Sequence, residues 1–278
     1  MADPQAATID VNGRPVPAKG GKQAMHLNES SLIPGDRETL AAWKIAFVGA
    51  IVITALLPLW RPHPFLEILS FVPDGLTATF TVTLCSIFFG LVLGLLGGLG
   101  RIARTTVVNR VATVYVEVIR GIPLLVQLFY IYYALGPLLH LTGFSAAITA
   151  LSICYGAYLS EIFRAGIQSI HKGQMEAALA LGMSRTQALW KVILPQTVRV
   201  ILPPIGNEFI AMLKDSSLVS ILAVSDLLRR GREFASTTFN YLEAYTVVAL
   251  IYLIMTLFFS RMVGLMEERL RTHGRQNH

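Results

Sequence analysis

Charge is scarce in this chain. Of its 278 residues only 14% are Asp, Glu, Lys or Arg, where a soluble domain carries about a quarter. A surface so poor in charge cannot be wetted on all sides, which excludes a water-soluble globule. Cysteine is scarcer still: Cys85 and Cys154 lie in apolar runs 69 positions apart, a spacing that builds neither a disulfide framework nor a metal site. No GxxxxGK[ST] phosphate loop occurs, so ATP is not bound by that route. The six histidines are scattered, three of them at or near the termini, and supply no nucleophile–base or metal constellation of the kind an enzyme needs. What is abundant is apolar: 54% hydrophobic residues and a mean hydropathy of +0.58 describe an integral membrane protein. The net charge of +6 forms no continuous basic stripe. It falls between apolar segments, as loop charges of a membrane protein do, and gives no nucleic-acid surface.

Residues 1–42 read as a polar, disordered tail holding Gly20-Gly21, Pro4, Pro15 and Pro17. The first apolar stretch begins after Trp43 and has no small-residue cleavage site behind it, so it is a membrane helix rather than a secretory signal. Since about 20 apolar residues cross a bilayer, crossings are expected at 41–60, 76–99, 122–139, 146–167 and 241–265. A further segment, 193–224, is long enough to cross but holds Pro195, Pro203-Pro204 and Gly206. A break is expected there, of the kind that survives at membrane depth where it lines a cavity or packs on other helices. The expected fold is an all-α polytopic membrane protein of about six transmembrane helices. With the loop around Lys172 inside, the inner loops and C-terminus carry twelve Lys and Arg and the outer loops four (Arg61, Arg229, Arg230 and Arg232), which places both termini inside. In the second helix Gly90, Gly94, Gly97, Gly98 and Gly100 include small-xxx-small spacings, read as packing within the chain in preference to a dimer seam.

Residues 173–195 are unusual for an inner loop. They read as two short helices, the first with Glu176 in its opening turn and stopping at Gly182, the second started by Ser184 as N-cap with Gln187 three residues on. Met175, Ala178, Leu179 and Met183 share one face. That face either folds back on the chain's own helices or enters a groove on a soluble partner.

Here the residues match a known pattern. Glu176-Ala177-Ala178, with Gly182 four residues later and then Ile193-Leu194-Pro195, closely resembles the EAA loop of ABC importer permeases. The run EIFRAGIQSI from Glu161 to Ile170 precedes it, PPIGNEFIAMLKDSSL from Pro203 to Leu218 follows it, and EVIRGIPLLVQ from Glu117 to Gln127 lies upstream. Together these resemble the polar amino-acid uptake branch of that family (the histidine/glutamine/arginine type). The resemblance spans about 76–268 and implies a five-helix core over 74–266, to which 43–62 adds one helix, with 267–278 a cytoplasmic tail. It also implies a bacterial inner-membrane location and the partners of the family. These are two ATP-binding cassette subunits that hold the ATP and magnesium, a second permease chain, identical or homologous, and an extracytoplasmic amino-acid-binding protein, all within membrane lipid. In such permeases the EAA loop couples to the ATPase, which points to Glu176, Ala177, Ala178 and Gly182. A secondary transporter is the alternative; it would carry two related halves with a broken helix in each, and only one break and no repeat is found.

Ionisable residues inside a membrane segment are functional candidates. Glu208 and Asp215 are seven apart, so at about 100° per residue they share a helix face about 10 Å apart. They suit the α-ammonium and a distal cationic or polar group of an amino acid, with Asn207, Ser216 and Ser217 adding neutral hydrogen bonds. The competing reading is that either carboxylate pairs with Lys214 or Arg120 to hold helices together. Glu117 and Arg120, three apart, read as a local helical pair, or Arg120 as an anchor at the inner face.

Overall fold

A computed structural model describes residues 36–275, with side chains from 40 to 270, and among these residues there is no β-strand. The chain divides into two units, 1–45 and 46–278. Helix α1 (Asp36–Trp60) is followed by α2 (Pro62–Phe71), a 3-10 turn (Val72–Asp74) and α3 (Gly75–Arg101). Next come α4 (Thr106–Gly121), α5 (Leu124–Phe129), a π-helical turn (Tyr130–Leu135) and α6 (Gly136–Leu139). The remainder is α7 (Gly143–Ser169), α8 (Lys172–Ala180), α9 (Arg185–Ala188), a second π turn (Leu189–Ile193), α10 (Leu194–Asp215) with its 3-10 extension (Ser216–Leu222), α11 (Leu227–Thr238) and α12 (Tyr241–Arg275). Most of the tail expected at 1–42 and the last residues of that at 267–278 lie outside the described residues. Of the rest, 36–42 begin α1 and 267–275 continue α12.

Four of the described helices are long and apolar enough to cross a membrane: 40–60, 62–101, 143–169 and 241–270. The bent pair α4 and α5–α6 makes a fifth if it counts as one span. The six crossings expected from the sequence would be completed by α10, which does not meet the same measure of length and apolarity.

The helix expected at 122–139 is present from Leu124 to Leu139, with a π turn inside it. It is preceded by α4, for which no crossing was expected; α4 ends at Gly121, and the chain bends by 103° before α5. Pro123 is the cause: the residue before a proline is kept out of the helical region, and Ile122 is extended (φ −106°, ψ 129°). The expected break at Pro203-Pro204 is also corrected. Both prolines lie inside an uninterrupted α10, and the helix changes only at Asp215, where it tightens to 3-10 geometry and stops at Ala223 (φ 61°). The π turn at 189–193 directly precedes Pro195 at the start of α10. A wider turn relieves the clash between a proline ring and the carbonyl four residues back.

Tight helix contact explains the glycines. A Cβ on Gly94 would stand 2.5 Å from that of Leu159, and one on Gly98 2.7 Å from that of Phe163. Small residues thus let α3 lie directly on α7, the intramolecular packing expected for them. Ser152 Oγ donates to Ser86 O (3.3 Å) across the same seam. Around it lies one apolar cluster that includes Val82, Leu128, Leu151, Leu159 and Met212. A second includes Ile68, Val72, Leu213, Leu227 and Val247. Consecutive residues of α10, Met212 and Leu213, enter one cluster each, so the end of α10 joins the two cores just where its geometry changes.

Candidate functional site

The end of α4, the turn before α5, the middle of α7 and the last two turns of α10 enclose a cavity of about 430 Å³. Its walls carry Arg120, Tyr155, Tyr158, Cys154, Glu208 and Asp215, with the backbone of Gly121 to Leu124 closing one side. Glu208 and Asp215 therefore line the same space, as their spacing on one helix face requires. The Tyr155 hydroxyl donates to Asp215 Oδ2 (2.8 Å), which fixes that carboxylate's orientation. Arg120 lies over the ring of Tyr158, 5.2 Å from its centroid, a cation–π contact that ties the guanidinium to α7. One cation and two carboxylates thus share a partly enclosed volume, the complement of a small molecule bearing both signs of charge.

The neutral partners expected beside them lie elsewhere. Asn207 is exposed and Ser216 fully buried, its hydroxyl donating to Leu213 O (2.8 Å); neither lines the cavity, and nor does Ser217. Lys214 is exposed and does not line it either. Arg120 is the residue that sequence reasoning assigned to a different task. It stands three residues before Pro123, and only the sharp bend at Ile122 turns its end of α4 into the cavity. Glu117 does not pair with it. Glu117 meets Arg101 of α3 (3.6 Å), and Arg101 also pairs with Glu161 of α7, which is held in turn by Arg164. This ion-pair cluster ties α3, α4 and α7 together one helical turn from Arg120 and Tyr158.

At α8 the structure resolves the two readings of the loop face. The helix begins at Lys172, where the His171 side chain accepts from Gly173 N (3.1 Å) as its cap. It ends in a Schellman motif: Met183 N donates to Ala178 O (3.1 Å) and Gly182 N to Leu179 O (3.0 Å), with Gly182 left-handed at φ 82°. Ser184 and Gln187 form the expected capping box, through Ser184 N to Gln187 Oε1 (2.9 Å) and Gln187 N to Ser184 Oγ (3.2 Å). From Arg185 helical structure continues without a gap into α10, so the second helix is not a separate short one. Ala178 is 3% exposed, and Met175, Leu179 and Met183 are half-buried. Their face is the inner seam of the hairpin. Glu176, Ala177 and Gly182 are exposed, beside Leu181 and Trp190 at 79% and 65% exposure. The four residues singled out in this loop therefore divide, with three at the surface and Ala178 beneath them.

Comparison with known proteins fits this geometry. Residues 68–272 match the family described as the binding-protein-dependent transport system inner membrane component. The chain belongs to that family. Over 202 residues it is 42% identical to the glutamine transport system permease protein GlnP of Escherichia coli (strain K12), covering 71% of this chain and 92% of the relative. It is 41% identical over 199 residues to the L-cystine transport system permease protein TcyB of Bacillus subtilis (strain 168), with 70% and 85% covered. Among solved structures it superposes on the crystal structure of an amino acid ABC transporter with histidines at a TM-score of 0.70 and 41% identity, covering 73% of this chain and 96% of that one. The permease is thus a transport subunit and not an enzyme; an ATPase and a substrate-binding protein are its partners in this family, and the inner membrane its place. The matched span holds both the cavity and the α8–α9 hairpin and leaves out α1.

Proposed function

We propose that the permease carries polar amino acids, delivered by an extracytoplasmic binding protein, through the cavity beneath the α4–α5 bend. The observation that carries this reading is the placement of Arg120 in one space with Glu208 and Asp215. A guanidinium suits the α-carboxylate by paired hydrogen bonds, and the two carboxylates suit the α-ammonium and a second polar or cationic group. The relatives named for glutamine and L-cystine transport support an amino-acid cargo. In this reading two ATPase subunits and a second permease chain, identical or homologous, complete the importer, and both termini face the cytoplasm. ATP-driven closure of the ATPases moves the hairpin of Glu176, Ala177 and Gly182, and the cavity alternates its access.

The test is uptake by the assembled importer in proteoliposomes. Loss of a charge-assisted hydrogen bond costs about 1.5–3 kcal/mol. Arg120→Gln should therefore raise the substrate concentration for half-maximal uptake tenfold or more, while binding to the isolated binding protein is unchanged. Arg120→Lys should keep part of the affinity, since it keeps the charge and loses the planar fork. Unaltered concentration dependence in Arg120→Gln and in Asp215→Asn would remove the cavity from the path.

A further inference from the structure

A second concavity lies between α3 and α4. Where α4 folds against the second half of α3, a groove of about 420 Å³ is lined by Leu93, Leu96, Gly97, Gly100, Val108 and Val111 and their neighbours. Gly97 and Gly100 are buried in its wall, where a Cβ would meet Ser160 and Ala112, so the trough runs between Leu93 and Leu96 on one side and Val108 and Val111 on the other. The one polar group at its margin, the Tyr115 hydroxyl, is turned away to donate to Ile153 O (2.8 Å). The groove is thus an apolar trough, and Val107 and Val111 stand at its lip 70% and 65% exposed.

Charge at the open end distinguishes this trough from an ordinary lipid-facing surface. The membrane segment that contains α3 ends at Arg101, which is the depth of the headgroups, and the turn to α4 follows at 102–105. Three arginines belong to this end. Arg101 is consumed by Glu117 and Glu161, and the turn is pinned by Asn109, whose Nδ2 donates to Arg101 O. Arg104 and Arg110 are exposed and form no ion pair among the described residues. An apolar trough lined from Gly100 to Val107 and Val111, with unpaired Arg104 in the intervening turn and unpaired Arg110 next to Val111 on α4, matches a molecule with a long alkyl chain and a net negative phosphate head. Zwitterionic lipid would fill the trough equally well, but its ammonium group gains nothing from the arginines.

From this geometry we infer that the α3–α4 groove is a binding site for an anionic phospholipid, its acyl chain between Leu96 and Val111 and its phosphate at Arg104 and Arg110. The full chain in phosphatidylcholine nanodiscs, doped with equal small amounts of phosphatidylglycerol or phosphatidylcholine bearing a photoreactive acyl chain, tests it. Labelled peptides covering 93–115 should favour phosphatidylglycerol about thirtyfold, the ratio expected from two basic residues near the surface at about 1 kcal/mol each. The double variant Arg104→Gln/Arg110→Gln should lower that ratio to near one. Val111→Trp, which fills the trough from an exposed position, should reduce labelling by both lipids, and a normal size-exclusion profile shows that each variant is folded. Equal labelling by the two lipids in the unmodified chain would overturn the inference. So would a phosphatidylglycerol preference that survives the double variant, labelling untouched by Val111→Trp, or no labelling at 93–115, the result expected if a second protein chain covers the trough.

Discussion

Gly182 and Arg120 are both set by backbone geometry, in opposite ways. Gly182 has no neighbour within 4 Å of the position a Cβ would take, yet its φ is 82°. A side chain there meets no clash and pays only for the left-handed backbone, about 1–2 kcal/mol for an ordinary residue and more for a β-branched one. Gly182→Val should therefore reduce uptake by the assembled importer roughly tenfold while membrane insertion and the amount of chain recovered stay unchanged. Gly182→Asn, which tolerates the left-handed region, should fall between. Equal uptake in all three would show that the turn is not needed for coupling. This position was legible in the sequence because a glycine at the end of a helical pattern has few other uses. Arg120 was not, because its role follows from where the bend at Ile122 aims it, and no property of an arginine near an apolar segment distinguishes a wall of a cavity from an anchor at the membrane face. Ala178 was legible as part of a motif but not as its buried member, since an alanine fits an exposed or a covered position equally.

At the scale of helices, α3 on α7 depends on close approach. A Cβ on Gly98 would meet Phe163 Cβ at 2.7 Å and the Ser160 carbonyl at 2.9 Å, and backbone cannot move aside cheaply in a packed seam. Gly98→Ala should lower the thermal unfolding midpoint of the detergent-solubilised chain, at about 1–3 kcal/mol of overpacking. Gly49→Ala, with open space around it, should leave the midpoint unchanged or raise it, and equal effects would remove close packing as the explanation. The loop that joins α10 to α11 depends instead on one carboxylate. Asp226 is fully buried and caps α11, accepting from Arg229 N (3.0 Å) and Leu228 N (3.3 Å). Burial pushes its carboxyl from 3.8 up to about 6, against those backbone N–H bonds, which lower it. Because the folded value lies above the unfolded one, the group favours the fold fully below 3.8 and loses that contribution as pH rises through about 6. The unmodified chain should therefore lose about 1 kcal/mol relative to Asp226→Asn between pH 5 and pH 7; a stability difference that stays flat over that interval would place the carboxylate in water. The long apolar helices were legible because length and hydropathy are local properties. The helix α4 was not, because Asn109, Arg110, Glu117 and Arg120 give it the composition of a loop, and its partners Arg101 and Tyr158 lie on other elements. The uninterrupted α10 was not legible either. A double proline argues for a break, and the helix survives it where Met212 and Leu213 bury into two cores.

At the scale of the molecule, the hairpin of α8 and α9 gives the strongest reason to expect a soluble partner. Its methionine and leucine stripe is already used within the hairpin. What faces outward is Leu181, Trp190, two flat alanine positions (Ala177 and Ala180) and the carboxylate of Glu176. Large apolar side chains next to a flat surface and one charge form the core and rim of a small interface. The permease should therefore co-purify from gently solubilised native membranes with a P-loop ATPase, identified by mass spectrometry. Glu176→Lys reverses the charge at an exposed position that makes no ion pair among the described residues, so folding is not at stake. It should cut the co-purified ATPase at least fivefold through like-charge repulsion at the rim, an effect of a few kcal/mol at most. If raised salt during purification partly restores the ATPase in that variant, the contact is electrostatic and Glu176 lies in it. If the permease elutes alone yet still transports in liposomes, ATP coupling through this hairpin is excluded, and the cavity would have to be driven by an ion gradient.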